Sequence, residues 1–143
     1  DWPLVVLAHC GPTGLGSEAS SPCGRDWKKP AIDWGDRDLA LALERMKERR
    51  RADLVVFGHM HHHLRGGQGE RSTFHRDRAG TLYVNAACVP RTGLDASGEP
   101  LHHFTWVEFE GTVPTLVSHR WYRPQGDLAY EQTLHRAGVQ GGT

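Results

Sequence analysis

The chain has 143 residues, enough for one domain of ordinary size, and 38% of them are hydrophobic. Lys+Arg and Asp+Glu are equal at 17 each, so the formal net charge is zero with histidine neutral. That balance gives no electrostatic case for general nucleic-acid or membrane-surface binding, and no apolar stretch approaches the roughly 18 residues of a membrane span. Cys10, Cys23 and Cys88 are an odd number with no Cys-x-x-Cys pair, which argues against a disulfide framework and favours a reducing compartment. Ten histidines are many for this length. No signal peptide and no initiator Met are visible, and the first residues already lead into a strand. The chain is therefore expected to begin mid-protein.

Leu4–Ala8 is a continuous apolar run, the pattern of a strand buried on both faces. Residues 10–35 are rich in glycine, proline and serine and read as one long loop, a length that in a compact domain usually marks function or disorder. Asp36 reads as an N-cap. Behind it Leu39, Leu43, Met46 and Arg50 share one helical face, and Arg49-Arg50-Arg51 sit at the negative end of the helix. Leu54–Phe57 is a second apolar strand, which completes a strand-helix-strand unit. Ser72–Arg76 and Thr81–Asn85 flank the turn Asp77-Arg78-Ala79-Gly80 as a hairpin. His103–Glu110 and Val113–Tyr122 read as another, about Gly111. Leu128–His135 is expected to form a short helix, with a frayed end after it.

Two junctions carry the chemistry. Leu54-Val55-Val56-Phe57 runs into Gly58-His59-Met60-His61-His62-His63, and the first strand runs into His9-Cys10-Gly11-Pro12. Imidazole is a common ligand for zinc, iron and manganese sites, and strand C-terminal ends are where open α/β sheets build their sites. If the two strands are parallel, both histidine tips lie at one end. His59 and His61 are two apart, so in extended backbone they point to opposite faces. They then serve two adjacent ions, or converge if the chain turns, and Gly58 supplies freedom for close approach. The plainer reading is a His-rich surface loop. His62 and His63 could touch substrate phosphate, stand behind the ligands, or simply be solvated. Arg65 and Arg91 are phosphate-contact candidates against an ordinary surface role.

Other signals are weaker. The Gly35-Asp36-Arg37-Asp38 stretch opens a helix, so capping is a better account of Asp36 than metal ligation. Gly11–Gly16 lacks the Lys-Ser/Thr of a P-loop. Cys10 adjoins His9, but neighbours on a chain rarely form a nucleophile-base hydrogen bond. His75, His102, His103, His119 and His135 are read as surface or strand-face residues.

Val55-Val56-Phe57-Gly58-His59-Met60-His61 resembles the Gly-His-x-His signature of the calcineurin-like metallophosphoesterase superfamily. Leu7-Ala8-His9-Cys10-Gly11-Pro12 looks like that superfamily's preceding single-histidine motif, and Tyr83-Val84-Asn85-Ala86-Ala87 resembles the strand and turn that follow. Ala8–Gly16 with Pro22-Cys23-Gly24-Arg25-Asp26-Trp27 is similar to a cyanobacterial and plant-plastid branch. The resemblance implies an α/β fold, part of a four-layer αββα β-sandwich. It implies two divalent metal ions (Mn, Fe or Zn) held by His9, His59 and His61, which are also the catalytic residues. His62, Arg65 and Asn85 are the substrate-binding candidates. The implied reaction is hydrolysis of phosphomonoesters or phosphodiesters, the partner a phosphorylated substrate, and the location the cytoplasm or plastid stroma. The superfamily's Asp-x-His, Gly-Asp-x-x-Asp and Gly-Asn-His-Asp/Glu motifs do not occur in this chain. It therefore looks like the C-terminal half of such a domain, inactive without the N-terminal half. A non-catalytic His-rich metal-binding module and a truncated member kept as an interaction surface are the alternatives. The last of these calls for an open sheet edge.

Overall fold

A computed structural model describes residues 1–66 and 69–138. The chain divides into two compact units, Trp2–Val89 and Pro90–Thr143, the latter joined by Asp1. The fold is mixed α/β, with two four-stranded sheets and one helix among the described residues. None of the described helices is long and apolar enough to cross a membrane.

The first unit contains β1 (Val5–Leu7), α1 (Arg37–Lys47), β2 (Leu54–Phe57), β3 (Phe74–Arg76) and β4 (Leu82–Asn85). Its sheet has the order β1-β2-β4-β3. β1 pairs with β2 in parallel, Val6 opposite Val55, and β2 pairs with β4 in parallel, Phe57 opposite Asn85. Three strand ends therefore meet at one rim. Only β3 runs antiparallel, as the expected hairpin with β4. Its turn is closed by the Gly80 N–H to the Asp77 carbonyl, with Gly80 at φ +91°.

β1 departs from the sequence expectation. It is an edge strand, with Val5 39% and Leu7 77% exposed, so one of its faces is bare. A continuous apolar run fits burial on both faces, but here only alternate residues, Val6 and Ala8, pack against the core. The central strands do follow the rule: Val55 and Val84 are fully buried.

The helix begins where the sequence places it. Asp36 Oδ1 accepts from the backbone N–H groups of Asp38 (2.8 Å) and Leu39 (2.9 Å). Leu39, Leu43 and Met46 then present one face to a core of Leu15, Cys23, Ala52, Val55, Phe57 and Tyr83. The helix stops at Lys47, short of Arg50. Arg50 instead reaches the buried carboxylate of Asp53 (3.3 Å) at the start of β2, which also accepts from the Leu4 N–H (2.8 Å).

Residues 10–35 form no helix or strand, yet they are not loose. Leu15 and Cys23 sit in the core, and isolated bridges join Pro12 to Asp36 and Gly24 to Asp33. Gly11 is required by space: a Cβ there would lie 2.5 Å from Cys23 Sγ and 2.6 Å from the Phe57 ring. Burial pushes the Cys23 thiol pKa up to about 12, so it behaves as an inert core group.

The second unit is an antiparallel sheet of β5 (Thr92–Leu94), β6 (Pro100–Glu110), β7 (Val113–Tyr122) and β8 (Leu128–Arg136). The expected β6–β7 hairpin turns at Gly111, at φ +59°. Leu128–His135 is not a helix. It pairs along β7, with register shifts at Val117/Ser118 and Trp121/Tyr122. Those irregularities break the strict alternation by which a strand is read from sequence. His103 and His119 do lie on a strand face, but a buried one, with ring centroids 5.1 Å apart. The far end of the chain lies outside the described residues, so the expectation of fraying there falls outside them too.

Replacing Asp36 by Ala removes the acceptor of two amide hydrogens and should lower stability by about 1 kcal/mol, whereas Asp36→Asn should lose little. Urea denaturation of both variants measures the difference, and equal losses would show that capping is not what Asp36 contributes.

Candidate functional site

The rim at the ends of β1 and β2 is continuous with their ladder. Ala8 N–H donates to the Val56 carbonyl (3.0 Å), and Gly58 N–H donates to the His9 carbonyl (3.0 Å). Parallel pairing thus carries two histidine-bearing segments out side by side. His9 Nε2 and His59 Nδ1 lie 3.0 Å apart, with the rings edge-on at 64°. One of these nitrogens holds the proton and the other accepts it.

The bend that brings them together falls on His59 rather than on Gly58. His59 has φ +67°, the left-handed region that a side chain rarely enters, and Met60 N–H closes a three-residue turn onto the Gly58 carbonyl (2.8 Å). A Cβ on Gly58 would meet nothing closer than 3.6 Å, so its lack of a side chain is not what permits the turn. Backbone strain of this kind costs about 1–3 kcal/mol and concentrates at functional sites. After the turn Met60 is buried, while His59 and His61 are exposed.

Cys10 completes a group of three. The donor atoms of His9, Cys10 and His59 all lie within 4.8 Å of one another, and it is the one such group among the described residues. His61 is outside it. His9 and His59, with Cys10 beside them, would be the residues to hold a divalent ion, and imidazole and thiol donors are ones such ions take. These residues fit one divalent ion with nitrogen and sulfur donors. By themselves they do not fit two, since no carboxylate joins the group. Burial, and secondarily the Asp36 carboxylate, raises the Cys10 pKa, which is the opposite of an activated nucleophile.

His59 and His61 both line a cleft of about 360 Å³, together with Asp26, Trp27, Met60, His63, Arg65 and Arg71. Arg65 thus stands where a phosphate contact is possible. His62 turns inward instead. Its Nε2 donates to the Asn85 carbonyl (2.9 Å), and burial lowers its pKa, which favours the neutral ring. Asn85 is fully buried. Its Nδ2 donates to the carbonyls of Met60 (2.7 Å) and Pro22 (3.3 Å), and its Oδ1 accepts from Ala87 N–H (2.9 Å). The Asn85 side chain therefore ties backbone segments together, and all its hydrogen-bonding groups are engaged in doing so.

Two residues outside the sequence expectations organise the cleft. The Arg71 side chain is 1% exposed and faces the Asp26 carboxylate, itself 5% exposed, at 3.4 Å. Arg71 Nη1 donates to the carbonyls of Ala19 (3.0 Å), Ser21 (2.8 Å) and Gly24 (2.8 Å), and Nε donates to that of His61 (3.1 Å). Asp26 also accepts from Arg65 N–H. The only sequence sign of this pair was the place of Asp26 beside Trp27 in the family-like loop. Arg71 carried none. Comparison with protein-family models, curated proteins and solved structures finds no match to this chain.

Arg71→Met would strip a buried carboxylate of its charge partner and four backbone carbonyls of a guanidinium donor. Such a change costs about 3–5 kcal/mol, and about 10 °C in melting temperature at this size. Differential scanning calorimetry should find it, and a loss under 1 kcal/mol would mean the clasp is dispensable.

Proposed function

We propose that this chain carries histidine ligands of a metal-dependent phosphoesterase of calcineurin-like type, which hydrolyses phosphomonoesters or phosphodiesters. In this reading the chain is the C-terminal part of a four-layer αββα sandwich. The observation that carries it is the 3.0 Å approach of His9 and His59 at the ends of two paired parallel strands. The left-handed turn at His59 supports it, because the strain is spent on aiming that imidazole. So does the adjoining cleft, whose lining includes the N–H donors of His61, His63 and Arg65.

His9 and His59 would hold one ion, with Cys10 at hand, and His61 would serve a second. The carboxylates that two ions require would come from the motifs that the resemblance places upstream. A divalent metal bound there supplies positive charge to phosphoryl oxygens and acidifies water. Arg65 and His63 would orient the phosphate by donating to its oxygens. Catalysis by this chain alone is not part of the reading, since its donors are too few.

A second reading is a single-ion, non-catalytic zinc module. It is favoured by one observation: the gathered donors are two imidazoles and a thiol, a set that suits zinc.

Hydrolysis of bis-p-nitrophenyl phosphate and p-nitrophenyl phosphate separates them, measured on the full-length protein with Mn, Zn or Fe supplied. The phosphoesterase reading expects metal-dependent turnover that falls at least ~100-fold in His59→Ala, because even residues behind the ligands are worth 10–100-fold. Tight binding of one zinc with no turnover of either ester would overturn it in favour of the module.

A further inference from the structure

We propose that the cleft beside the histidines binds a nucleoside monophosphate, with Trp27 as the stacking surface for the base. The inference rests on the phosphoesterase reading for the phosphate group and adds the class of molecule that bears it.

The cleft joins two chemistries. Its polar lining is imidazole and guanidinium, from His59, His61, His63 and Arg65, beside the Asp26 carboxylate that Arg71 neutralises, and its large aromatic surface is the indole of Trp27. Among the described residues the Arg65 guanidinium makes no ion pair, in contrast to Arg71 beside it, which is spent on Asp26. Arg65 is thus the cation left to meet an anion.

Trp27 is 43% exposed, yet it is held in place. The preceding residue, Asp26, is buried and fixed by Arg71 and by the Arg65 N–H. Trp34 meets the Trp27 ring at 85° with centroids 5.6 Å apart, and Arg25 in turn lies 5.3 Å from the Trp34 ring. A perpendicular contact covers at most one face of the Trp27 indole. A half-exposed indole lining the same cleft as an unpaired guanidinium suits a planar ring whose other end is anionic. Stacking also tolerates any base, since each has a π-face.

Size narrows the class. A cleft of about 360 Å³ lies at the small end of ligand sites, which run from about 300 to 1,000 Å³. It suits one base, one sugar and one phosphate. A phosphotyrosine side chain would leave much of it to water, and the chain's zero net charge gives no footing for a nucleic-acid strand. The exposed His61 imidazole lines the same cleft and is placed to meet sugar hydroxyls.

The test is calorimetric titration of the full-length protein with Mn²⁺ present. The probes are the non-hydrolysable phosphonate analogue of AMP, the matching analogue of ribose 5-phosphate, and a phosphonate analogue of phosphotyrosine. The AMP analogue should bind about ten- to a hundredfold more tightly than the sugar analogue, the usual worth of one base on an aromatic side chain. Trp27→Leu should erase that gap while leaving the sugar analogue's affinity unchanged, and Trp27→Phe should keep most of it. The paired variants, checked by thermal melting, separate stacking from folding. Equal affinity of the AMP and sugar analogues would overturn the stacking role and leave the phosphoesterase reading standing. A gap that survives Trp27→Leu, or a phosphotyrosine analogue that binds more tightly than the AMP analogue, would overturn it as well. Failure of all three probes to bind would overturn the nucleotide proposal, and turnover of the two nitrophenyl esters then decides the phosphoesterase reading separately.

Discussion

The candidate site depends on a single buried guanidinium. A loop as long as residues 10–35 contains many backbone carbonyls that must find donors once water is excluded. Arg71 gathers three of them, from Ala19, Ser21 and Gly24, and takes a fourth from His61. The Asp26 carboxylate beside it offsets the cost of burying the charge. Neither the loop nor the His-rich segment has regular secondary structure of its own at these points. This side chain ties one to the other and helps set the position of Trp27 relative to His61.

Asn85 makes the same connection by different chemistry. Its Nδ2 bridges Met60 in the His-rich segment to Pro22 in the loop, from the tip of β4. The sheet thus supplies more than strand tips. β1 carries His9, β2 carries His59, and β4 carries the amide that locks the backbone just after His59. Because β2 is paired in parallel on both sides, these three contributions leave the sheet in the same direction. The strained turn at His59 is then tolerated because its surroundings determine it from several sides. Gly58 is tied to His9, Met60 to Asn85, and His62 to Ala87.

Much of this was legible in the sequence where the cause is local. Asp36 announces a cap because its side chain bonds amides two and three residues away. The helix face of Leu39, Leu43 and Met46 follows from period alone. Both hairpins were readable from turn residues flanked by apolar strands. What escaped was long-range. Arg71 meets carbonyls 47 to 52 residues away, a contact that no spacing rule encodes. The edge position of β1 escaped too, because an apolar run does not say how many neighbours it has. β8 was missed because pairing with β7 includes two register shifts, and sheet context overrides a weak local pattern. Gly58 was credited with freedom for close approach, yet a Cβ there would meet nothing nearer than 3.6 Å, and the positive φ falls on His59.

The same turn bears on the choice between a one-ion and a two-ion site. A lone zinc gains nothing from separating His59 and His61. Its ligands would do better gathered around one point, as His9, Cys10 and His59 already are. Yet the turn leaves His61 outside that group and on the cleft, with its carbonyl held by Arg71. His59 occupies the junction, in contact with His9 and also lining the cleft. Under the proposed reading, two imidazoles from one short segment, one beside a partner strand and the other on the cleft, would serve two neighbouring centres. A strained backbone would be a costly way to make a single site smaller than it need be. The geometry of residues 58–61 accords with the proposed phosphoesterase reading, while the donor set, counted alone, suits a single zinc.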